Sequence, residues 1–306
     1  MRGVRKTFGP KVAVDDLDLA VPEGAMYGFI GPNGAGKTTT IRMIMSILFP
    51  DRGELSVLGR ASAVESKDRI GYLPEERGLY KKMKVGSFLA HIGRLKGMPR
   101  SGLKKKIHDW LERVDLGDVE KKKCEELSKG MQQKVQFIGT VLHEPDLIIL
   151  DEPFSGLDPV NMRLLRDLIQ EQNDAGRTVI FSTHQMEQAQ RLCDKLVLIN
   201  KGRKLIDGTM DEIRAQFTTR IVTLDGEGDL AAVAAMPGVI ASQVTNGHAR
   251  IECGDGLEPD EVLREAIKVA RLTRYEVQRP DLHEIFVKLV GSDDADEAAA
   301  THGVSQ

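Results

Sequence analysis

Residues 31–39 read Gly31-Pro32-Asn33-Gly34-Ala35-Gly36-Lys37-Thr38-Thr39. Gly31, Gly36, Lys37 and Thr38 satisfy the spacing G-x-x-x-x-G-K-[ST]. The flanks agree with it. Ala25 to Ile30 (AMYGFI) is a short apolar run suited to a buried strand, and Thr38 to Phe49 carries Ile41, Ile44, Met45 and Leu48 on one helical face. Glycines let the backbone between strand and helix wrap a polyphosphate closely, with its N–H groups turned inward. The helix N-terminus adds positive partial charge at the same spot. Lys37 is placed to reach β- and γ-phosphates, and the Thr38 hydroxyl to ligate Mg²⁺. A Gly-rich turn that binds nothing is disfavoured, because strand, loop and helix all agree.

A second stretch strengthens the first. Leu147-Ile148-Ile149-Leu150-Asp151-Glu152-Pro153 is an apolar run that ends in two carboxylates. Beside a phosphate loop, an acid in the place of Asp151 holds Mg²⁺. A carboxylate in the place of Glu152 can polarise a water for in-line attack on the γ-phosphate. Many strands end in acids, so the pair is specific only in combination with residues 31–38.

The rest of the chain sets bounds. Its 306 residues suggest about two domains. With 41% hydrophobic and 29% charged residues it has the composition of a protein with a real core. No apolar stretch approaches the ~20 residues that cross a bilayer, and the start MRGVRKTFGP is no secretory signal. Cys124, Cys193 and Cys253 are too far apart for a metal pattern, which fits a reducing cytosol. Residues 81–129 hold 14 Lys/Arg against 7 Asp/Glu, and residues 207–306 hold 9 against 19. The basic segment reads as a solvated helical surface rather than a lipid-binding face, because acids are interleaved. It has few aromatics, and no nucleic-acid partner is expected.

Alternating helix and strand signals imply an α/β core with a mainly parallel sheet. An antiparallel β region at residues 1–23 precedes it, and a helical insert at about 80–130 interrupts it. The expected domains are 1–217, then a small C-terminal α+β domain at 218–291, then a disordered acidic tail at 292–306. Trp110 and the methionines read as packing residues. Asn200-Lys201-Gly202-Arg203 is similar to the guanine-reading Asn-Lys-x-Asp, but Arg203 stands where Asp should be, which argues against a GTPase.

Three further segments carry a resemblance. Glu126-Leu127-Ser128-Lys129-Gly130-Met131-Gln132-Gln133 precedes the acidic strand, Phe154-Ser155-Gly156-Leu157-Asp158-Pro159 follows it, and Ser182-Thr183-His184 comes later. In this order the chain resembles the ATP-binding cassette (ABC) family over roughly residues 4–215: Walker A, signature, Walker B, D-loop and switch histidine. The resemblance implies a P-loop NTPase core, ATP and Mg²⁺ as ligands, and ATPase activity. It implies that Phe8 stacks on adenine and that His184 bonds the γ-phosphate. It also implies that Ser128 and Gly130 contact the nucleotide of a second ATP-binding subunit, and that Asp158, a further cofactor-site candidate, sits in the D-loop at the interface with that subunit. Glu75, in Pro74-Glu75-Glu76, stands where the family has a Gln, and is a third candidate Mg²⁺ ligand beside Thr38 and Asp151. The signature departs too, with Lys129 in place of a Gly. Gly71 to Tyr80 and Pro280 to Phe286 resemble bacterial sodium- and drug-efflux ATPases. The expected setting is the cytoplasmic face of a membrane, driving a polytopic permease; the alternative is a soluble ABC ATPase acting on DNA or ribosomes.

Overall fold

The computed structural model describes residues 1–76, 78–217 and 220–291. Arg77, residues 218–219 and the expected acidic tail lie outside the described residues. The chain forms two compact units, Met1–Asp207 and a second from Gly208 onward. Tyr27 donates its hydroxyl to Asp207 at 2.5 Å, fixing the last residue of the first unit. A capping box between Thr209 and Glu212 then starts a new helix.

The first unit opens with strands β1 (Arg2–Phe8) and β2 (Lys11–Leu17), then β3 (Met26–Ile30), helix α1 (Lys37–Ile44), β4 (Arg52–Glu54) and β5 (Ile70–Leu73). The insert follows as α2 (Val85–Leu95) and α3 (Leu103–Arg113). Next come α4 (Lys129–Val141), β6 (Leu147–Asp151), α5 (Pro159–Asp174), β7 (Thr178–Thr183), α6 (Met186–Leu192), β8 (Lys195–Asn200) and β9 (Arg203–Thr209), which runs two residues past the division. A small sheet has the order β2-β1-β4, with both pairs antiparallel. The large sheet has the order β5-β6-β7-β3-β8-β9, and its first five strands are parallel. β9 returns after Lys201-Gly202, both with positive φ, and a two-residue turn permits only antiparallel pairing.

β3, β6 and β7 are buried along their whole length. This is why they read as unbroken apolar runs and not as alternating ones. Tyr27, Phe29, Ile41, Ile149, Ile180 and Val197 form the core around them, each contributing about 1.5–3 kcal/mol. Helix α1 stops at Ile44 instead of running to Phe49. Ser46 takes a positive φ of 54°, and the Ile47 and Leu48 amides both fold back to Arg42 O.

The second unit runs α7 (Met210–Ala215), β10 (Arg220–Gly228), α8 (Leu230–Ala234), β11 (Val239–Thr245), β12 (His248–Cys253), α9 (Pro259–Val269) and β13 (Ala270–Gln278). Residues 282–291 form a last helix. The sheet is antiparallel with order β11-β12-β10-β13, a split β-α-β arrangement. Val222, Leu224, Ile251 and Val262 centre its core. In Pro280 to Phe286, Asp281 and Glu284 cap each other's amides at 2.8 Å while Leu282 and Ile285 are buried. Glu284 and Lys288 pair with Arg250 and Glu252 of β12. That motif is therefore a helix start held against the sheet.

Candidate functional site

The parallel strands all end on one edge of the large sheet. β6, β7 and β3 are neighbours there, with Asp151 level with Ser182 and Ile30 level with Thr183. The loops leaving these three strands converge, and such edges are where open α/β sheets take ligands.

After Ile30 the loop presses against the rest of the unit. A Cβ at Gly31 would stand 2.1 Å from Ile199 O, and one at Gly36 would stand 2.5 Å from Ala13 O. Gly36 has a φ of 107° and precedes α1 with no side-chain cap, so the first amides of the helix have no side-chain acceptor. Ala35 and Gly36 are buried, Pro32, Thr38 and Thr39 half-buried, and Asn33 and Gly34 exposed. Lys37 is 6% exposed and donates from Nζ to Gly31 O at 2.6 Å and Pro32 O at 3.1 Å. Burial pulls its pKa down, opposed by the carboxylates of Glu152, Asp151 and Glu75.

Asp151 is 1% exposed. Its Oδ1 accepts the Ser182 hydroxyl, while Oδ2 is buried with no hydrogen-bond partner. Burial pushes its pKa up, against the pull of the Ser182 and Thr38 hydroxyls. A buried carboxylate oxygen without a donor, beside a hydroxyl that can ligate, fits a hard divalent cation.

Glu152 is 8% exposed and has a φ of 48°. A left-handed backbone at a residue other than Gly costs about 1–3 kcal/mol. Four contacts hold it there. Its N–H donates to Ser182 O and Ser182 Oγ, both at 3.2 Å. Its Oε1 accepts the His184 amide at 2.9 Å and lies 2.8 Å from His184 Nδ1. An ionised carboxylate only accepts, so Nδ1 carries the proton and Nε2 is left for another partner.

A cavity of about 300 Å³ joins the loop to Glu152, while Asp151 and His184 are not among the residues that line it. Its walls are Asn33, Gly34 and Gly36–Thr39 from the loop, Phe8 and Lys11 from the β1–β2 turn, and the carboxylates Glu75 and Glu152. Phe8 is half exposed there, with Lys6 Nζ 5.7 Å from its ring centroid. A larger cavity of about 490 Å³, bounded by Phe154, Met162 and Met186, contains neither the loop nor the paired acids.

Ser128, Gly130 and Asp158 do not line the 300 Å³ cavity. Ser128 is exposed and caps α4 through the Met131 amide at 3.3 Å. Asp158 is exposed and caps α5 through the Val160 and Asn161 amides at 3.0 and 2.9 Å. A Cβ at Gly130 would lie 3.2 Å from Asn161 Nδ2, so the two caps are neighbours. Sequence reasoning gave no role to Lys11 or Ser182. Lys11 faces Phe8 in the register of β1 and β2, a pairing that Gly9-Pro10 between them signals. Ser182 carries no signal of its own, because its use depends on β6 and β7 lying side by side.

Residues 14–155 match the family described as ABC transporter, and residues 208–290 match the one described as ATP-binding protein DrrA1-3-like, C-terminal domain. The uncharacterised ABC transporter ATP-binding protein YhaQ of Bacillus subtilis is 43% identical over 94% of this chain and 97% of its own. The daunorubicin resistance ATP-binding protein DrrA3 of Streptomyces coeruleorubidus is 32% identical over 95% of both chains. A solved structure described as the ATP-binding subunit of an ABC transporter superposes with a TM-score of 0.66 at 32% identity, covering 71% of this chain and 91% of that one. This fold binds ATP, and the family hydrolyses it to power transport. By its ordered motifs, its sheet and these relatives, the chain belongs to the ATP-binding subunits of ABC transporters.

Proposed function

We propose that this chain dimerises on ATP, closes two nucleotides between its Walker A loops and the signatures of a second ATP-binding subunit, and so drives a separate polytopic permease. One observation carries the reading. Ser128, Gly130 and Asp158 sit together on exposed helix starts outside their own cavity, where a second subunit can bring its nucleotide.

Phe8 would stack on adenine, and the loop amides with Lys37 would hold the phosphates. Thr38 and Asp151 would hold Mg²⁺, with Glu75 close enough on the cavity wall to join or to repel. When bound, Mg²⁺ supplies charge neutralisation at the transferring phosphoryl group. Glu152 takes a proton as the water oxygen bonds to the γ-phosphorus and the bond to the bridging oxygen of ADP breaks. His184, held through Nδ1–H by Glu152, has Nε2 available for the terminal phosphate; to donate there it must be doubly protonated.

Among the described residues no helix is long and apolar enough to cross a membrane. Ile47, Phe49 and Val64 are exposed apolar side chains, and the Ser46–Ser62 contact at 3.1 Å ties their two segments together. With the Glu75 loop and the insert, they are the docking surface we assign to the permease. The Nod factor export ATP-binding protein I of Ralstonia nicotianae, 31% identical over 95% of this chain, supports an export direction. The setting is then the cytoplasmic face of the membrane.

Sedimentation tests the dimer. Glu152→Gln with ATP·Mg²⁺ should shift from monomer to dimer, and adding Ser128→Arg should prevent it. A dimer that forms without nucleotide, or despite Ser128→Arg, defeats the reading.

A further inference from the structure

Two buried amides of α4 bond the residues that follow two carboxylates of the cavity. Gln133 Nε2 donates to Pro153 O at 2.8 Å, and Gln136 Nε2 donates to Glu76 O at 3.3 Å. Pro153 follows Glu152, and Glu76 follows Glu75. Both of these carboxylates line the nucleotide cavity. A spacing of three places the two glutamines on one face of the helix. One turn further, the Thr140 hydroxyl contacts Tyr72 O at 3.3 Å, so the same face continues along β5.

Packing alone does not call for these side chains. Gln133 is 3% exposed and Gln136 6%. Burying an amide is unfavourable unless it is fully bonded, and Gln136 Oε1 is buried with no partner. An aliphatic residue would hold α4 to the core without that cost. What the amides add is a fixed distance from α4 to the backbone beside each carboxylate.

We infer that Gln133 and Gln136 are positioning residues through which α4 sets Glu152 and Glu75 in the cavity of their own subunit. α4 begins at Ser128-Lys129-Gly130, the surface assigned above to the second subunit's nucleotide. A shift of α4 on that engagement would act on both carboxylates, each through its own bond. The trigger rests on the dimer reading; the positioning does not.

The test for Gln136 is a double-mutant cycle read by calorimetry with ADP, which does not turn over. Half-saturating Mg²⁺ for ADP binding is measured in the parent, Gln136→Leu, Glu75→Gln and the double variant. Gln136→Leu should shift it by about twofold or more, the lower end of coupling within one network. In the Glu75→Gln background it should shift nothing. An equal shift in both backgrounds, or none in the parent, overturns the inference, since a merely structural role acts equally in both. Gln136→Met carries the same cycle if the Leu variant fails to fold. For Gln133→Leu, kcat should fall about tenfold or more at unchanged KM for ATP, since a 1 Å misplacement can cost ~10²-fold. A raised KM at unchanged kcat overturns that half. Failure of the dimer reading shows separately, in sedimentation, and leaves the ADP cycle intact.

Discussion

Glu152→Gln separates chemistry from structure because the amide keeps the oxygen that His184 uses. Two bonds to Oε1, at 2.9 and 2.8 Å, become neutral instead of charge-assisted. Charged hydrogen bonds contribute about 1.5–3 kcal/mol and neutral ones about 0.5–1.5, so about 2–3 kcal/mol of anchoring is lost. Against this, a carboxylate only 8% exposed is removed, and the desolvation it suffers is several kcal/mol. The two effects are similar in size and opposite in sign. Tm should therefore stay within about 4 °C of the parent, the equivalent of ~1–2 kcal/mol in a chain of this size. Turnover should fall ~10²–10⁴-fold with the loss of the proton acceptor, which is about 2.7–5.4 kcal/mol of barrier. Phosphate release, equilibrium ATP binding and thermal unfolding on one preparation check all three. Turnover within a few-fold of the parent refutes the base assignment. A large fall in Tm with loss of ATP binding refutes the claim that the amide preserves the loop.

Lys37→Met keeps the aliphatic stem but removes a buried cation whose pKa burial lowers; ATP affinity should fall about tenfold or more, as for a lost charged hydrogen bond, while Tm does not fall. Equal affinity by titration would contradict the phosphate-loop reading. Glu75→Gln removes one of three acids near Lys37 and should keep basal ATPase activity while needing less Mg²⁺ for half-maximal rate; a higher requirement would make Glu75 a direct ligand. His143 is held neutral, its pKa pushed down to about 4 by burial and then by Lys96. The unfolded chain gains this proton below the ordinary 6.5 and the folded chain only near 4, so stability is lost as pH falls through that window, by at most about 3 kcal/mol. His143→Leu should flatten the unfolding free energy between those two values, and Lys96 Nζ still satisfies Ile70 O at 2.7 Å; an unchanged slope would refute the linkage.

What could be read in advance follows from how local each cause is. The phosphate loop was legible because strand, glycines, lysine and helix are contiguous, and β3 and β6 because full burial leaves unbroken apolar runs. β11 was not legible. Its residues after Val239 are all exposed, Ile240 at 62% and Val244 at 40%, so no apolar alternation marks it. The end of α1 was missed because Ile47 and Leu48 continue the apolar pattern after the backbone has turned at Ser46. Site residues divide in the same way. Lys37 and Thr38 announce themselves by spacing, whereas Ser182 and the two α4 glutamines act across strand pairings and helix contacts that no local pattern encodes.

This division bears on mechanism. The residues set by local spacing are those that would touch phosphate, where geometry must hold in every nucleotide state. The residues set by long-range contacts fix how far apart the carboxylates stand. Gln136 binds the loop of Glu75 through one neutral bond of 3.3 Å, whereas Glu152 is held by four contacts of 2.8–3.2 Å. A rise in load on α4 would therefore displace Glu75 before Glu152. On the roles proposed above, the charge around the phosphates would then change while the carboxylate assigned as base stays in place.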